Sequence, residues 1–210
     1  MKVELSAAAI VRAGVELAAE AGLEAVGVRA VAARLGVTPM ALYRYIGTGE
    51  ALEAEVLETI LAALPPVAAD GLWQDRYRNW ARETRAMLAG YPGLARHLLI
   101  HCFELRPMLR LIDALLSVAA DAGLTGFEGV AAANVVLTYA LMRAEFEQAV
   151  RTSRPPGAPL ALLDEGGLEL PFLSANAEHY VGNIDRHFEH GLASIIAGLE
   201  LRRVAVGAGS

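Results

Sequence analysis

Cysteine is all but missing: Cys102 stands alone in 210 residues. No disulfide can close within the chain, so a reducing, cytoplasmic setting is expected. Long apolar runs are missing too. The longest uncharged stretch, Gly129–Met142, has 14 residues, whereas a membrane span needs ~17–25. Lys2, Glu4, Arg12 and Glu16 break up any signal-peptide core. A soluble protein without a membrane partner follows. Aromatic residues make up only 6% of the chain, and no segment alternates apolar and polar residues as a half-buried strand would. Glycine-rich phosphate loops, G-x-S-x-G and H-E-x-x-H are all absent. Neither an enzyme nor a bound cofactor is expected.

What is present favours helices. Hydrophobic residues form 55% of the chain, and the abundant Ala and Leu lose little entropy in a helix. The expected fold is all-α, with about nine helices. Ser6 precedes the periodic residues Ile10, Ala13, Leu17 and Ala21, and Gly22 ends the run. After a connector at Leu23–Val28, a short helix is predicted over Arg29–Leu35, stopped by Gly36. Thr38 is placed as the N-cap of a third helix with Pro39 at its first position, where the missing N–H costs nothing. That helix runs to Ile46, and Gly47-Thr48-Gly49 separates it from a fourth over Glu50–Leu64, ended by Pro65-Pro66. Further helices are predicted at about 72–89, 94–102, 106–121, 127–151 and 175–203. Arg151–Ser174 holds four prolines and reads as a long loop, and Val204–Ser210 should fray.

The net charge of −6 argues against nucleic acid until its distribution is examined. Residues 1–48 carry five basic and four acidic side chains, whereas the remainder carries 13 basic and 20 acidic ones. No carboxylate lies between Glu24 and Glu50, while Arg29, Arg34 and Arg44 do. Such a window suits a surface that faces phosphates, because carboxylates there would be repelled. Two short helices joined by Gly36-Val37 also have helix-turn-helix spacing, with a second helix narrow enough for the major groove. Leu35, Val37, Leu42 and Ile46 would face a small core, leaving Thr38, Pro39, Met40, Ala41, Tyr43, Arg44 and Tyr45 outward or at the helix start. Arg44 could reach phosphate or guanine, and the tyrosines phosphate.

The string LGVTPMALYRYIGTGEAL (35–52), preceded by AAEAGLEAVGVRAVAARLGV (18–37), resembles the N-terminal domain of the TetR family of repressors. The likeness is strong over residues 6–62 and weak beyond. It implies a DNA-binding domain over 1–48 and a ligand-binding and dimerisation domain over 49–210. It also implies that Arg29 reaches a base or phosphate, that Thr38, Pro39, Met40 and Ala41 approach base edges, and that Tyr43 and Tyr45 grip phosphates. The start of the fourth helix, at Thr48, would offer backbone N–H groups to a further phosphate. Gly27 replaces the usual Ser or Thr cap, and Gly49 stands where a Lys is common. Losing that Lys should lower the salt slope of binding by roughly one unit.

Beyond residue 49 the signals are weaker. His97 and His101, four apart with Cys102 and Glu104 nearby, raise a metal-binding enzyme or carrier as the alternative, but a third ligand is missing. His187 and His190 near Asp185 stand the same way. A pure protein-interaction module is disfavoured by the acid-free window. Trp80, Met87, Phe103, Met108, Met142, Phe146 and Phe172 are the candidate lining of a small-molecule cavity. His101, Asn134, Thr138 and Arg143 are its candidate polar groups. Val181, Ile184, Phe188, Leu192, Ile195 and Leu199 recur at three- and four-residue steps and are the candidate homodimer interface. Together these point to a dimeric repressor on a palindromic double-stranded DNA operator, released by a small apolar or amphipathic ligand.

Overall fold

The structure is a computed structural model that describes residues 5–153, 169–181 and 183–208. Every regular element among them is helical: α1 (Ala7–Ala21), α2 (Val28–Leu35), α3 (Pro39–Ile46), α4 (Gly49–Leu61), α5 (Trp73–Leu88), α6 (Leu94–His101), α7 (Arg106–Asp121), α8 (Gly126–Ser153), α9 (Pro171–Val181) and α10 (Ile184–Ala208). A short 3-10 turn, Leu23–Ala25, lies inside the predicted connector.

Local chemistry explains the clean boundaries. The Ser6 hydroxyl accepts from the Ala9 N–H at 3.2 Å, which satisfies one of the open donors of α1. Gly22 ends the helix with φ at +93°, and a Cβ there would lie 3.1 Å from the Pro92 carbonyl oxygen. That same oxygen accepts from the Leu23 N–H at 3.0 Å, so the end of α1 is tied to the turn before α6.

Helices α1–α4 form one group, with α1 packed along α4 and α2. Its interior is Ile10, Ala13, Val31, Leu42, Leu52 and Val56, all buried. Gly14 is the closest approach: a Cβ built on it would fall 2.4 Å from a Val56 γ-methyl. The second group forms around α8, which packs on α5, α7 and α6. Tyr77 and Trp80 are its largest fully buried side chains, and the Tyr77 hydroxyl donates to the Leu115 carbonyl at 2.9 Å. Burial pushes that phenol well above its ordinary pKa.

Helix α10 docks on α8 and α5. Tyr139 stacks on Phe188 and donates to the Phe188 carbonyl at 2.9 Å. Gly191 makes room, since a Cβ there would lie 2.2 Å from the Tyr139 hydroxyl oxygen. Arg85 bridges the three helices, bonding Glu147 at 2.8 Å and Asp185 at 2.5 Å. Glu147 is buried, so the pairing is required to offset its desolvation.

Four expectations change. Helix α4 ends at Leu61, not Leu64, because the N–H groups of Ala63 and Leu64 turn to i−3 carbonyls ahead of Pro65, which disfavours helix in the residue before it. Helix α8 runs on to Ser153, and α9 begins at Pro171, inside the predicted loop, whose residues 154–168 lie outside the described ones. The single helix expected over 175–203 is two, and Asn183, a weak helix former, directly precedes the second. Helix α10 continues through Ala208 where fraying was expected.

Gly14→Ala is predicted to destabilise the protein by roughly 1–3 kcal/mol through overpacking, and adding Val56→Ala should recover most of it. Urea midpoints of the two variants test this; an unchanged midpoint in Gly14→Ala would contradict the close α1–α4 packing.

Candidate nucleic-acid interface

The turn between α2 and α3 is built on Gly36. Its φ of +67° and ψ of +31° lie in the left-handed region that only glycine enters freely. The Gly36 N–H donates to the Ala33 carbonyl at 3.2 Å and the Val37 N–H to the Ala32 carbonyl at 3.0 Å. These two bonds close a Schellman motif, which turns the chain sharply into α3. Leu42 and Ile46 then anchor α3 by burial against the core of α1–α4.

The anchoring leaves the other side of α3 open. Met40 is 73% exposed, Tyr43 43% and Tyr45 48%. Thr38, Pro39, Arg44 and, on α2, Arg29 are exposed as well, and Ala41 is half-buried. All nine residues expected at the interface, including exposed Thr48, thus lie at or near the surface of one helix pair and the helix start beside it. Thr38 departs from its predicted role: it occupies the N-cap position with extended backbone, yet its hydroxyl makes no cap bond. Thr38 is exposed at the start of α3.

Two charges differ from what counting along the chain suggests. Arg34, one of three arginines in the acid-free window, is folded back onto α1. It donates to both Glu20 oxygens at 2.7 Å and to Glu16 at 3.1 Å. The pairing holds the Glu20 carboxyl below the usual carboxylate range, and Arg34 braces α2 against α1. The start of α4 is likewise occupied. Thr48 Oγ1 accepts from the Ala51 N–H at 3.1 Å. Glu50, in the first turn, is held below its ordinary pKa by its own backbone N–H and then by the Thr48 hydroxyl. Of the N–H groups expected to meet a phosphate there, that of Ala51 is already taken by the Thr48 hydroxyl, and that of Glu50 by its own carboxylate. Sequence could have suggested both contacts: Glu16 and Glu20 lie on the helix just before the one that carries Arg34, and Glu50 sits two residues after a Thr cap.

The candidate ligand residues scatter. A cavity of about 300 Å³ lies between α6, α7 and α8, and Phe103, Asn134 and Thr138 line it. Most of its wall was not anticipated: Leu98, Cys102, Ile112, Leu116, Leu137 and Leu141. Trp80 and Met108 are packed inside the core, and Met87 is partly buried against it. Met142, Phe146 and Phe172 are exposed on the outside of α8 and α9. Arg143 turns to Glu147 and the Ile184 carbonyl, each at 3.4 Å. Apolar spacing marked these residues without showing which neighbour each would meet. His101 is outside the cavity wall; its Nδ1 lies 2.9 Å from Glu104 and its ring is tilted by 36° against that of His97, with centroids 4.6 Å apart. Burial, then the His101 charge, pushes the His97 pKa down. Among the described residues no group of three or more His, Cys, Asp or Glu side chains is placed to hold a metal ion.

The predicted dimer residues need a correction. Phe188, Leu192 and Leu199 are buried within their own subunit, Ile195 packs partly against the same core, and Ile184 is half-buried at the α8 contact. Val181 closes α9, and its side chain lies outside the described residues. The three- and four-residue periodicity marked the inward face of α10. Its outward face carries small residues, Ala193, Ser194, Ala197 and Gly198, followed by exposed Leu201. On α8 an exposed apolar stripe runs through Phe127, Val135, Met142 and Phe146.

Comparison with known proteins gives a consistent answer. Residues 10–56 match the sequence model for bacterial regulatory proteins of the tetR family, and residues 65–203 match the model for the tetracyclin repressor-like C-terminal domain. The tetracycline repressor protein class C of Escherichia coli is 30% identical over 208 residues, covering 96% of this chain and 93% of that protein. The HTH-type transcriptional repressor DrrR1 of Streptomyces coeruleorubidus is 28% identical, covering 91% of this chain and 76% of that protein. Among solved structures, a possible TetR family transcriptional regulator from Streptomyces coelicolor A3(2) superposes with a TM-score of 0.76 at 27% identity, over 93% of this chain and 99% of that one.

Two substitutions separate the charges. Arg44→Gln should lower the slope of log affinity for duplex DNA against log salt by about one unit, and Arg34→Gln should leave it unchanged. Glu50→Gln should tighten binding roughly two- to tenfold at low salt. Because the Glu50 pKa is depressed, the carboxylate stays ionised until the pH falls below its ordinary range, so that gain should be constant across roughly pH 6–8. Fluorescence anisotropy over a salt series reads all three.

Proposed function

The chain belongs to the TetR family of bacterial regulatory proteins, a DNA-binding transcriptional regulator, and we propose that it represses transcription as a homodimer on a palindromic operator from which a small molecule releases it. Residues 1–48 serve as the reader and residues 49–210 as the ligand-binding and dimerisation part. The observation that carries this reading is α3: a short helix anchored by Leu42 and Ile46 that turns Thr38, Pro39, Met40, Tyr43, Arg44 and Tyr45 outward. No carboxylate lies on that helix. Arg29 and Arg44 supply the charge, since Arg34 is taken by Glu16 and Glu20.

In this reading each α3 enters a major groove with its N-terminal residues at base edges, while Tyr43 and Tyr45 meet the phosphates on either side. One reader of this size holds a half-site weakly, so two must act together. The second copy covers the exposed apolar stripe of α8 and the small-residue face of α10, where Ala193, Ala197 and Gly198 let backbones approach closely. The relatives' names, a tetracycline repressor among them, support repression under small-molecule control. A ligand acts by favouring a conformer in which α4 holds the two readers at the wrong separation, with a coupling of ~1–3 kcal/mol.

The test is a binding-site selection from random duplex DNA followed by titration. A palindromic winner bound at ~10⁻⁸–10⁻¹¹ M is expected. Met142→Asp/Phe146→Asp should give a folded monomer, seen by light scattering, that has lost most of this affinity. Leu192→Asp, at a buried position, should instead fail to fold. Full affinity in a monomeric variant would overturn the dimeric reading.

A further inference from the structure

We infer that the cleft between the far end of α4 and the start of α7 binds a small amphipathic carboxylate, whose head meets Arg106 and Arg110 and whose apolar body lies along the Pro65-Pro66 turn. The cleft holds about 530 Å³, inside the range of about 300–1,000 Å³ typical of small-molecule pockets. It shares no lining residue with the cavity between α6, α7 and α8. Arg110, Leu111 and Ala114 lie on one face of α7, whereas Ile112 and Leu116 of that cavity lie on the opposite one.

The two arginines carry the inference. Both line the cleft and both are exposed. Neither makes an ion pair or a side-chain hydrogen bond with another described residue. By contrast all four arginines of α5, Arg76, Arg78, Arg82 and Arg85, hold carboxylates. The placement of the α7 pair is also costly. The two are four residues apart on one helix, where like charges repel. Arg106 is the first residue of α7, at the positive end of the helix dipole, and Leu105 before it supplies no side-chain cap. An anion seated between the two guanidinium groups reverses both penalties and accepts charge-assisted bonds from them. Two unfavourable charges on the wall of one cleft thus point to an anion from outside the chain.

The rest of the wall sets the body of the ligand. Leu61, Leu64, Pro65, Val67 and Leu111 give it apolar surface. The loop that carries Pro65 and Val67 is fixed from behind: buried Arg76 donates to the Ala68 carbonyl at 2.7 Å and pairs with Asp121. Glu58 of α4 is the one carboxylate among the lining residues, and Asp113, exposed on α7, is outside the wall. Two arginines against Glu58 leave one net positive charge, which suits a single carboxylate better than a doubly charged phosphate. A bound carboxylate touches α4 and α7 at once and so changes how the end of α4 is held. That effect on the operator rests on the reading above; the binding itself does not.

Isothermal titration calorimetry of the full-length protein with octanoate, octanol and octylamine reads the charge preference. Octanoate should bind about tenfold more tightly than either of the others, and less tightly as salt rises. Arg106→Gln/Arg110→Gln should abolish the preference while raising the Tm of the unliganded protein by about 1–4 °C, since two repelling charges are gone. Arg106→Lys/Arg110→Lys, which keeps the charge, should keep most of the preference. Glu58→Gln should tighten octanoate binding about two- to fivefold. Equal binding of the three compounds, or a preference that survives in the glutamine variant, overturns the site. A fall in Tm in that variant would show the arginines already partnered by the fold and would overturn it as well. Saturating octanoate should change the Kd for a selected operator at least about fivefold in the unsubstituted protein and not in the glutamine variant. An unchanged operator Kd overturns the coupling through α4 and keeps the site. Charge-selective octanoate binding by a protein that selects no DNA keeps the site and removes the regulator.

Discussion

Val56 of α4 occupies space that any side chain at position 14 of α1 would need, and this close approach is the constraint on which the arrangement of the chain turns. The first half of α4, through Leu52 and Val56, belongs to the core beneath α1 and α3. Its far end, at Leu61, lines a second cleft together with Leu111 and Ala114 of α7. A thirteen-residue helix that is part of two cores cannot move in one without disturbing the other. The Leu23–Pro92 hydrogen bond adds a second tie between the same two groups. Motion of α6, α7 or α8 would thus have short mechanical routes to α3, through α4 and through the end of α1.

The electrostatics fit a regulator that must also let go. An acidic chain presents one small face without carboxylates, and even there the charge is limited: Arg34 is spent on bracing α2, and Glu50 sits at the start of α4. Fewer phosphate contacts mean a smaller electrostatic share of the affinity. In the proposed dimer, more of the binding then depends on fit between two readers and two half-sites, and fit is what a change in their separation would remove. The paired network of Arg85, Glu147, Arg143 and Asp185 performs the complementary task of fixing α10 against α5 and α8.

Much of this was legible in the residues. Ser6, Gly36, Pro39 and Gly47 punctuate the first three helices to within a residue, because each acts through its own backbone or its nearest neighbours. The outward set on α3 followed from the burial of Leu42 and Ile46. Long-range pairing was harder to read. The periodicity of Phe188, Leu192 and Leu199 announces a buried face of α10 but not whether its cover is the same chain or another. Trp80 and Met142 carry equally apolar side chains, yet one is in the core and the other on the surface, a difference set by α8's neighbours. Arg34 counted as free charge because its acceptors, Glu16 and Glu20, lie on the preceding helix.

In the proposed dimer, two copies of α3 read one operator from adjacent major grooves. Hydroxyl-radical footprinting of the full-length protein on a selected operator tests it most directly. Two symmetric sets of protected positions, with centres about one helical turn or slightly more apart, are predicted, and both should fade together when Tyr43 and Arg44 are replaced. A single protected patch shorter than one turn, or a footprint indifferent to those replacements, would contradict it.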